Sequence, residues 1–306
     1  MANRMYGLPG VKIGHAQDSD ARTGCTVILP EAEALAGVDV RGSAPGTREV
    51  ECIKPVRLVE KIHGLVLSGG SAFGLSAASG VQRWLEEQQR GFDVGVARVP
   101  IVPAAVIFDL AVGDPQTRPD ENMGVQACEN AQSESPSGRI GAGCGATTGK
   151  LFGLENALQG GLGLRSVTLK SGVTIGALTV VNALGYVIDP ENDMILPQAP
   201  LPGLTHRHDI IEQMSGHPRV ASFGEHTTLT VVVTDALLNR EQATKVAQMA
   251  QDGMARVLCP SHTMMDGDIA FVLSTGNKEC DLSLVGTLAS EMVANSILDA
   301  VSKDLE

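Results

Sequence analysis

Thr228-Leu229-Thr230-Val231-Val232-Val233-Thr234 is the clearest strand in the chain, β-branched or aliphatic throughout and free of Gly, Pro and charge. What flanks it decides the fold. Before it, Pro190 to Glu225 carries five prolines and three histidines with little periodicity, which predicts a long exposed connection. After it, Glu241 to Leu258 has helical spacing, with Ala243, Val246, Ala247, Ala250 and Met254 on one face. Asn239 is the expected cap of that helix, with Gln242 completing a capping box. Ile269 to Ser274 then reads as a strand. Leu282 to Val301 reads as a last helix, with Val285, Leu288, Met292 and Ile297 at helical intervals.

Working further outward, Arg165 to Asp189 is β in pattern, with strands at Val167 to Leu169 and Val173 to Ile188 and a hairpin turn at Lys170-Ser171-Gly172. Gly64 to Ser68 predicts a short buried strand. A helix follows on Phe73, Ala77, Ala78, Val81, Trp84 and Leu85, with Ser71 as its cap and Gly91 as its stop. The polar stretch Gly113 to Arg139 predicts loop with one short helix, and Ile140 to Lys150 is too Gly- and Thr-rich for a helix. Strands and helices come in runs rather than in strict alternation. That order predicts an α+β fold built in layers.

Composition narrows the function classes. The 306 residues are 43% hydrophobic but only 3% aromatic, with 35 glycines, so the core must rest on Ala, Val, Leu and Ile with close backbone packing. A net charge of −12 argues against nucleic acid as a partner, because binding a phosphate backbone needs clustered Lys and Arg. The six cysteines form no CxxC pair, which suggests reduced thiols rather than a zinc site or a disulfide framework. No apolar run approaches the roughly 20 residues of a membrane span, and the N-terminus lacks a signal-peptide pattern. The expectation is a cytoplasmic protein with no membrane partner.

Several local patterns resemble known devices and fall short of them. Gly141-Ala142-Gly143-Cys144-Gly145-Ala146-Thr147-Thr148-Gly149-Lys150 has Cys144 where a phosphate loop needs Gly, and Leu151 where it needs Ser or Thr. It is better read as a glycine-rich wall around a substrate. Gly69-Gly70-Ser71-Ala72-Phe73-Gly74 is out of register for a dinucleotide fingerprint, although N–H groups at such a turn can bind a carboxylate or a forming oxyanion. No GxSxG is present. His206, His208, Asp209 and His217 read as polar residues of an exposed loop rather than as metal ligands, and Asp266-Gly267-Asp268 lacks the rest of a calcium loop. No metal or cofactor is expected.

Taken together, these stretches resemble the L-aminopeptidase/D-amino-acid esterase-amidase family, which includes β-aminopeptidases and the nylon-oligomer endohydrolase. The resemblance runs nearly end to end. It includes Gly10 to His15, Val38 to Glu49, Leu67 to Leu75, Val102 to Asp109, Gly141 to Lys150, and His262-Thr263-Met264-Met265-Asp266-Gly267-Asp268. It implies a four-layer α/β/β/α sandwich of the N-terminal-nucleophile type, shared with ornithine acetyltransferase. It also implies one domain over 1–306, made as one chain that cuts itself before a Ser or Thr.

The matching junction here is His226-Thr227, giving pieces 1–226 and 227–306 with Thr227 as nucleophile. The freed α-amine, with a reference pKa of about 7.7–8.0, would take the proton from the Thr227 hydroxyl. By the same resemblance Lys150 would lower that pKa by like-charge repulsion. Asn182 would donate to the oxyanion, and Asp266 and Asp268 would orient the nucleophile. Gly69, Gly70, Ser71, Phe108 and Cys144 would line the substrate. The implied substrates are short peptides or peptide-like amides, and the implied assembly is a homo-oligomer, a tetramer. One departure stands at the junction: His226 occupies a position where the family usually has Asn or a small residue such as Gly. An imidazole there either obstructs the strained turn that cleavage needs or assists as a base. Two rival readings follow, an uncut ligand-binding homologue and an acyltransferase like ornithine acetyltransferase.

Overall fold

The computed structural model describes residues 6–216 and 226–302. Its main strands are β1 (Val11–Asp18), β2 (Thr23–Pro30), β3 (Ala34–Val40), β4 (Leu65–Ser68), β5 (Ala104–Val106), β6 (Gly161–Thr168), β7 (Thr174–Asn182), β8 (Thr227–Ala236) and β9 (Ile269–Lys278). Its helices are α1 (Ala77–Glu87), α2 (Glu121–Glu129), α3 (Arg207–Gly216), α4 (Arg240–Val257) and α5 (Leu282–Ala300).

The alternation of β8 sets the layering. Leu229, Val231 and Val233 point into a core shared with Ile13, Ile28, Leu65 and Leu67, whereas Val232 joins Val246, Ala250 and Val293 of α4 and α5 on the other face. β8 is therefore buried on both sides, which is why its sequence shows no polar stripe. One sheet runs β1-β2-β4-β5, with Thr47–Arg48 as an added edge; the other runs β6-β7-β8-β9-β3, with Lys61–Ile62 at its edge. The outer face of the first sheet packs Cys25, Val27, Leu29 and Val66 against Ala78, Val81 and Leu85 of α1 and Ala127 of α2. The result is the expected four-layer α/β/β/α sandwich. Each fully buried Val, Leu or Ile contributes about 1.5–3 kcal/mol.

The scarcity of aromatics is explained by how closely these layers approach. A Cβ on Gly163 of β6 would lie 1.8 Å from the Ser296 carbonyl oxygen of α5. One on Gly80 of α1 would lie 1.9 Å from the Glu121 carbonyl oxygen of α2. Helices here rest on bare backbone, and larger side chains have no room.

Several expectations need correction. Ser71 caps no α-helix: Ser71–Ser76 is a 3-10 turn and α1 starts only at Ala77. Phe73 is exposed, lying under the Arg118 guanidinium at 3.7 Å, rather than on the buried face. The predicted strand from Val173 to Ile188 stops at Asn182, and Tyr186–Ile188 pairs instead with Ile195–Leu196 and Leu258–Cys259 in a small separate sheet. The connection after Pro190 is not merely exposed, because Ile195, Leu204 and Ile210 are buried around Tyr186 and α3 forms within it. Its last stretch, with His217, lies outside the described residues. The helix at Arg240–Val257 starts as expected: the Asn239 side chain accepts from Gln242 N–H at 2.8 Å and Gln242 Oε1 accepts from Asn239 N–H at 2.9 Å.

Candidate active site

Thr227 begins β8 and shares its parity with Leu229, Val231 and Val233, so its side chain lies at the rim of the inter-sheet core, 5% exposed. The directions of the neighbouring strands determine what reaches it. β7 runs antiparallel to β8 and therefore ends where β8 begins, with Asn182 opposite Thr227. β9 runs parallel to β8, so the loop entering it arrives at the same edge, where Asp266 bridges His226. Three strand ends thus bring together residues far apart in sequence.

At the junction itself, the Thr227 hydroxyl donates to the His226 carbonyl oxygen at 2.5 Å. The same oxygen accepts the Gly267 N–H at 2.9 Å. Gly267 must be a glycine for this, since a Cβ there would lie 2.7 Å from Thr227 Oγ1 and 2.8 Å from the Ala44 carbonyl oxygen. A hydroxyl is thereby held beside a carbonyl that a backbone donor polarises. The hydroxyl and the backbone donor thus share one carbonyl oxygen at the 226/227 peptide.

On the β7 side, Lys150 is buried and its ammonium donates to Asn182 Oδ1 at 2.9 Å and to the Asn182 carbonyl at 3.1 Å. Thr147 N–H donates to the same Oδ1 at 3.0 Å. With two donors on Oδ1, the Asn182 amide is fixed with Nδ2 on the far side, donating to the Phe108 carbonyl at 3.1 Å. Lys150 is delivered by a tight turn: Gly149 has φ +66°, and a Cβ there would meet the Tyr186 ring at 2.5 Å.

On the β9 side stand the carboxylates. Asp266 Oδ2 accepts the Thr263 N–H at 2.8 Å and the Thr263 hydroxyl at 2.6 Å. Burial, reinforced by the charge of Asp268, pushes the Asp266 carboxyl up to about 6, against the opposing hydrogen bonds from Thr263. Asp268 Oδ1 accepts the Thr228 N–H at 2.7 Å, one peptide unit from the candidate nucleophile. Its other oxygen takes both the backbone N–H and the imidazole of His262, at 3.1 and 2.9 Å.

The expected lining residues fare differently. Gly69, Gly70 and Ser71 do lie near Asp109 and the end of β4, but none of their N–H groups points at a ligand. Gly69 N–H donates to the Gly24 carbonyl, Ser71 N–H to the Ile107 carbonyl, and Gly70 N–H to Asp109 Oδ1 at 2.7 Å. As oxyanion donors these three are therefore set aside: two backbone carbonyls and the Asp109 carboxylate already take their N–H groups. Phe108 enters through its carbonyl on Asn182, and its side chain is half-buried. Cys144 is buried, and burial pushes its thiol up, away from nucleophile character. Asp209, with the histidines beside it, takes the Thr205 and His206 N–H groups at the start of α3, which pull its carboxyl down to about 2.

Four residues at or beside the site were not singled out from sequence: Thr147, His262, Gly267 and Asp109. Each sits inside one of the family-like motifs, and that is the signal that could have found them. Asp109 is buried, its Oδ2 accepting from Thr23 Oγ1 at 2.7 Å, and burial raises its carboxyl despite these bonds and the charge of Lys150. A Cβ on Gly69 would lie 2.0 Å from that carboxylate.

Comparison with known proteins identifies the family and the fold. The model of peptidase family S58 matches residues 3–305. An uncharacterized aminopeptidase of Mycobacterium leprae is 37% identical, over 98% of this chain and 90% of its own. A 6-aminohexanoate-oligomer endohydrolase of a Kocuria species is 29% identical, over 96% and 85%. The L-aminopeptidase D-Ala-esterase/amidase of Ochrobactrum anthropi, described as a variant of the Ntn hydrolase fold, superposes with a TM-score of 0.70 at 20% identity, over 96% of this chain and 84% of that one. That last likeness establishes the fold. The family match covers almost the whole chain, and the chain belongs to peptidase family S58, a family of amide-bond hydrolases.

Proposed function

We propose that this chain cuts itself between His226 and Thr227 into 1–226 and 227–306, and that the freed Thr227 hydrolyses amide bonds of small peptides or peptide-like amides. The observation that carries the reading is the Thr227 hydroxyl 2.5 Å from a carbonyl oxygen that also accepts the Gly267 N–H. Oγ1 adds to the His226 carbonyl carbon, and the C–N bond breaks as the Thr227 nitrogen leaves as an amine. An ester remains on Oγ1. Water hydrolyses it to the His226 carboxylate and a free Thr227 hydroxyl.

In the mature enzyme the Thr227 amine takes the proton from its own hydroxyl and Oγ1 attacks the substrate amide. The leaving amine takes that proton, and water releases the acyl group. Asn182, its Oδ1 held by Lys150 and Thr147, is the oxyanion donor, with Nδ2 exchanging the Phe108 carbonyl for the oxyanion. The Lys150 charge favours the neutral amine, and Asp266 and Asp268 fix the nucleophile from the β9 side. The substrate class follows from relatives named as aminopeptidase and oligomer endohydrolase. A cytoplasmic tetramer is part of the same reading.

Intact mass under denaturing conditions tests it. Two pieces meeting at 226/227, and a single uncut Thr227→Ala chain, are the expected result. One stable 31.9 kDa species from the unaltered chain would overturn the self-processing reading and favour an uncut, ligand-binding protein in which His226 blocks cleavage.

A further inference from the structure

The loop that delivers Asp266 and Asp268 holds an unusual residue. His262 has φ +55°, a left-handed conformation that a residue with a Cβ rarely adopts. In that conformation its backbone N–H and its imidazole Nδ1 converge on one oxygen, Asp268 Oδ2, at 3.1 and 2.9 Å. The other oxygen of the same carboxylate holds the Thr228 N–H at 2.7 Å. Asp268 is 1% exposed and the His262 side chain 16% exposed, so the pair is largely shielded from solvent. A continuous chain of contacts therefore runs from the imidazole to the residue next to the candidate nucleophile.

We propose that His262 is a positioning residue for Thr227: as an imidazolium it clamps Asp268 onto the Thr228 N–H and cancels that carboxylate's charge beside the amine that cleavage exposes. The proposal rests on the self-processing reading above. Without the imidazolium, Asp268 would stand as an uncompensated anion near the Thr227 amine. The amine would then be held protonated to higher pH, and a protonated amine is no base.

The charged groups around His262 are consistent with this role. Burial works against protonation, but the hydrogen bond and charge of Asp268 outweigh it, and His262 ends above its ordinary value; its buried Nε2 has the Gln251 carbonyl of α4 nearby but makes no hydrogen bond among the described residues. The Arg41 guanidinium opposes, though it is itself engaged by Asp39 and Asp252. Asp266 lies beyond Asp268, and burial together with the charge of Asp268 raises its carboxyl to about 6. On the far side of Thr227 stands Lys150.

Two variants separate charge from contact. His262→Asn retains a donor at the place of Nδ1 without a charge, and His262→Ala removes both. For His262→Asn, the acidic limb of kcat/KM is expected to move up by about half a pH unit or more. For His262→Ala, self-cleavage is expected to slow as well. A His262→Asn profile that superimposes on that of the unaltered enzyme would overturn the proposal, because a purely structural histidine leaves the limb unmoved. An independent readout is NMR titration of the His262 imidazole in the uncut Thr227→Ala chain. It is expected to titrate above 6.5 and to fall when Asp268 becomes Asn; titration at or below 6.5 would overturn the proposal even if the protein hydrolyses amides. Conversely, absence of any hydrolysis by the unaltered chain would sink the hydrolase reading while the NMR result stood.

Discussion

Asp266 is where the site and the stability of the chain oppose each other. Its carboxyl is raised from 3.8 to about 6 by burial and by Asp268. The sign follows from linkage: the folded chain binds this proton more tightly than the unfolded chain, so the carboxylate's cost to stability appears as pH rises from about 4 to 6 and is fully present above. A displacement of that size corresponds to about 2–3 kcal/mol. Asp266→Asn removes the charge, and its amide oxygen can still accept the Thr263 N–H and hydroxyl that now converge on Oδ2. The variant is therefore expected to be more stable by about 2 kcal/mol at pH 7.5, with the gain fading below pH 4. Urea unfolding in the uncut Thr227→Ala background, at both pH values, measures it on a single chain. Asp266→Asn that is less stable at pH 7.5, or equally stabilised at both pH values, would refute the reasoning. Its expected companion is a loss of activity, as when a site keeps a charge that folding alone would discard.

Gly267→Ala places a Cβ 2.7 Å from Thr227 Oγ1 and displaces the N–H donor on the scissile carbonyl; self-cleavage is expected to slow by about a hundredfold or more, read as the fraction cut by intact mass over time. Lys150→Met removes a cation that holds the Asn182 amide, so the matured enzyme should lose activity and its acidic limb should shift to higher pH, as a pH–rate profile would show. Asn239→Ala breaks the capping box of α4 and is expected to cost about 1 kcal/mol in urea unfolding, without affecting where the chain is cut.

How much of this was legible follows from where the information resides. The strand at 228–234 is an unbroken β-branched and aliphatic run, and the helices at 240–257 and 282–300 repeat a period and start at caps that act within a few residues. β2 is buried on both faces like β8, but Gly24 and Cys25 interrupt its β-branched run, so it gave no comparable signal. Ser71 misled for a related reason: a Ser before an apolar run suggests a cap, but Gly70 in a left-handed conformation turns the chain into a 3-10 segment first. The site residues were reached through motif resemblance, not pattern. Neither spacing nor composition relates Lys150 to Asn182, or Gly267 to His226, because sheet register creates those contacts. The expectation that 69–71 donate to an oxyanion failed on the same ground, since the acceptors that engage those N–H groups come from Gly24, Ile107 and Asp109.

Sheet topology also explains the placing of charge around Thr227. The antiparallel neighbour brings a cation, through Lys150 on Asn182, and the parallel neighbour brings the anions Asp266 and Asp268. In the proposed mechanism the freed Thr227 amine sits between them, and its proton affinity depends on their balance: the cation favours the neutral amine and the anions favour the ammonium. An α-amine starts near 7.7–8.0, so small net changes move it across neutrality. The charge of Asp268 is met by His262, whereas Asp266, raised only to about 6, carries its charge where the amine is neutral. The inter-sheet rim offers this arrangement because β7 ends there and β8 and β9 begin there.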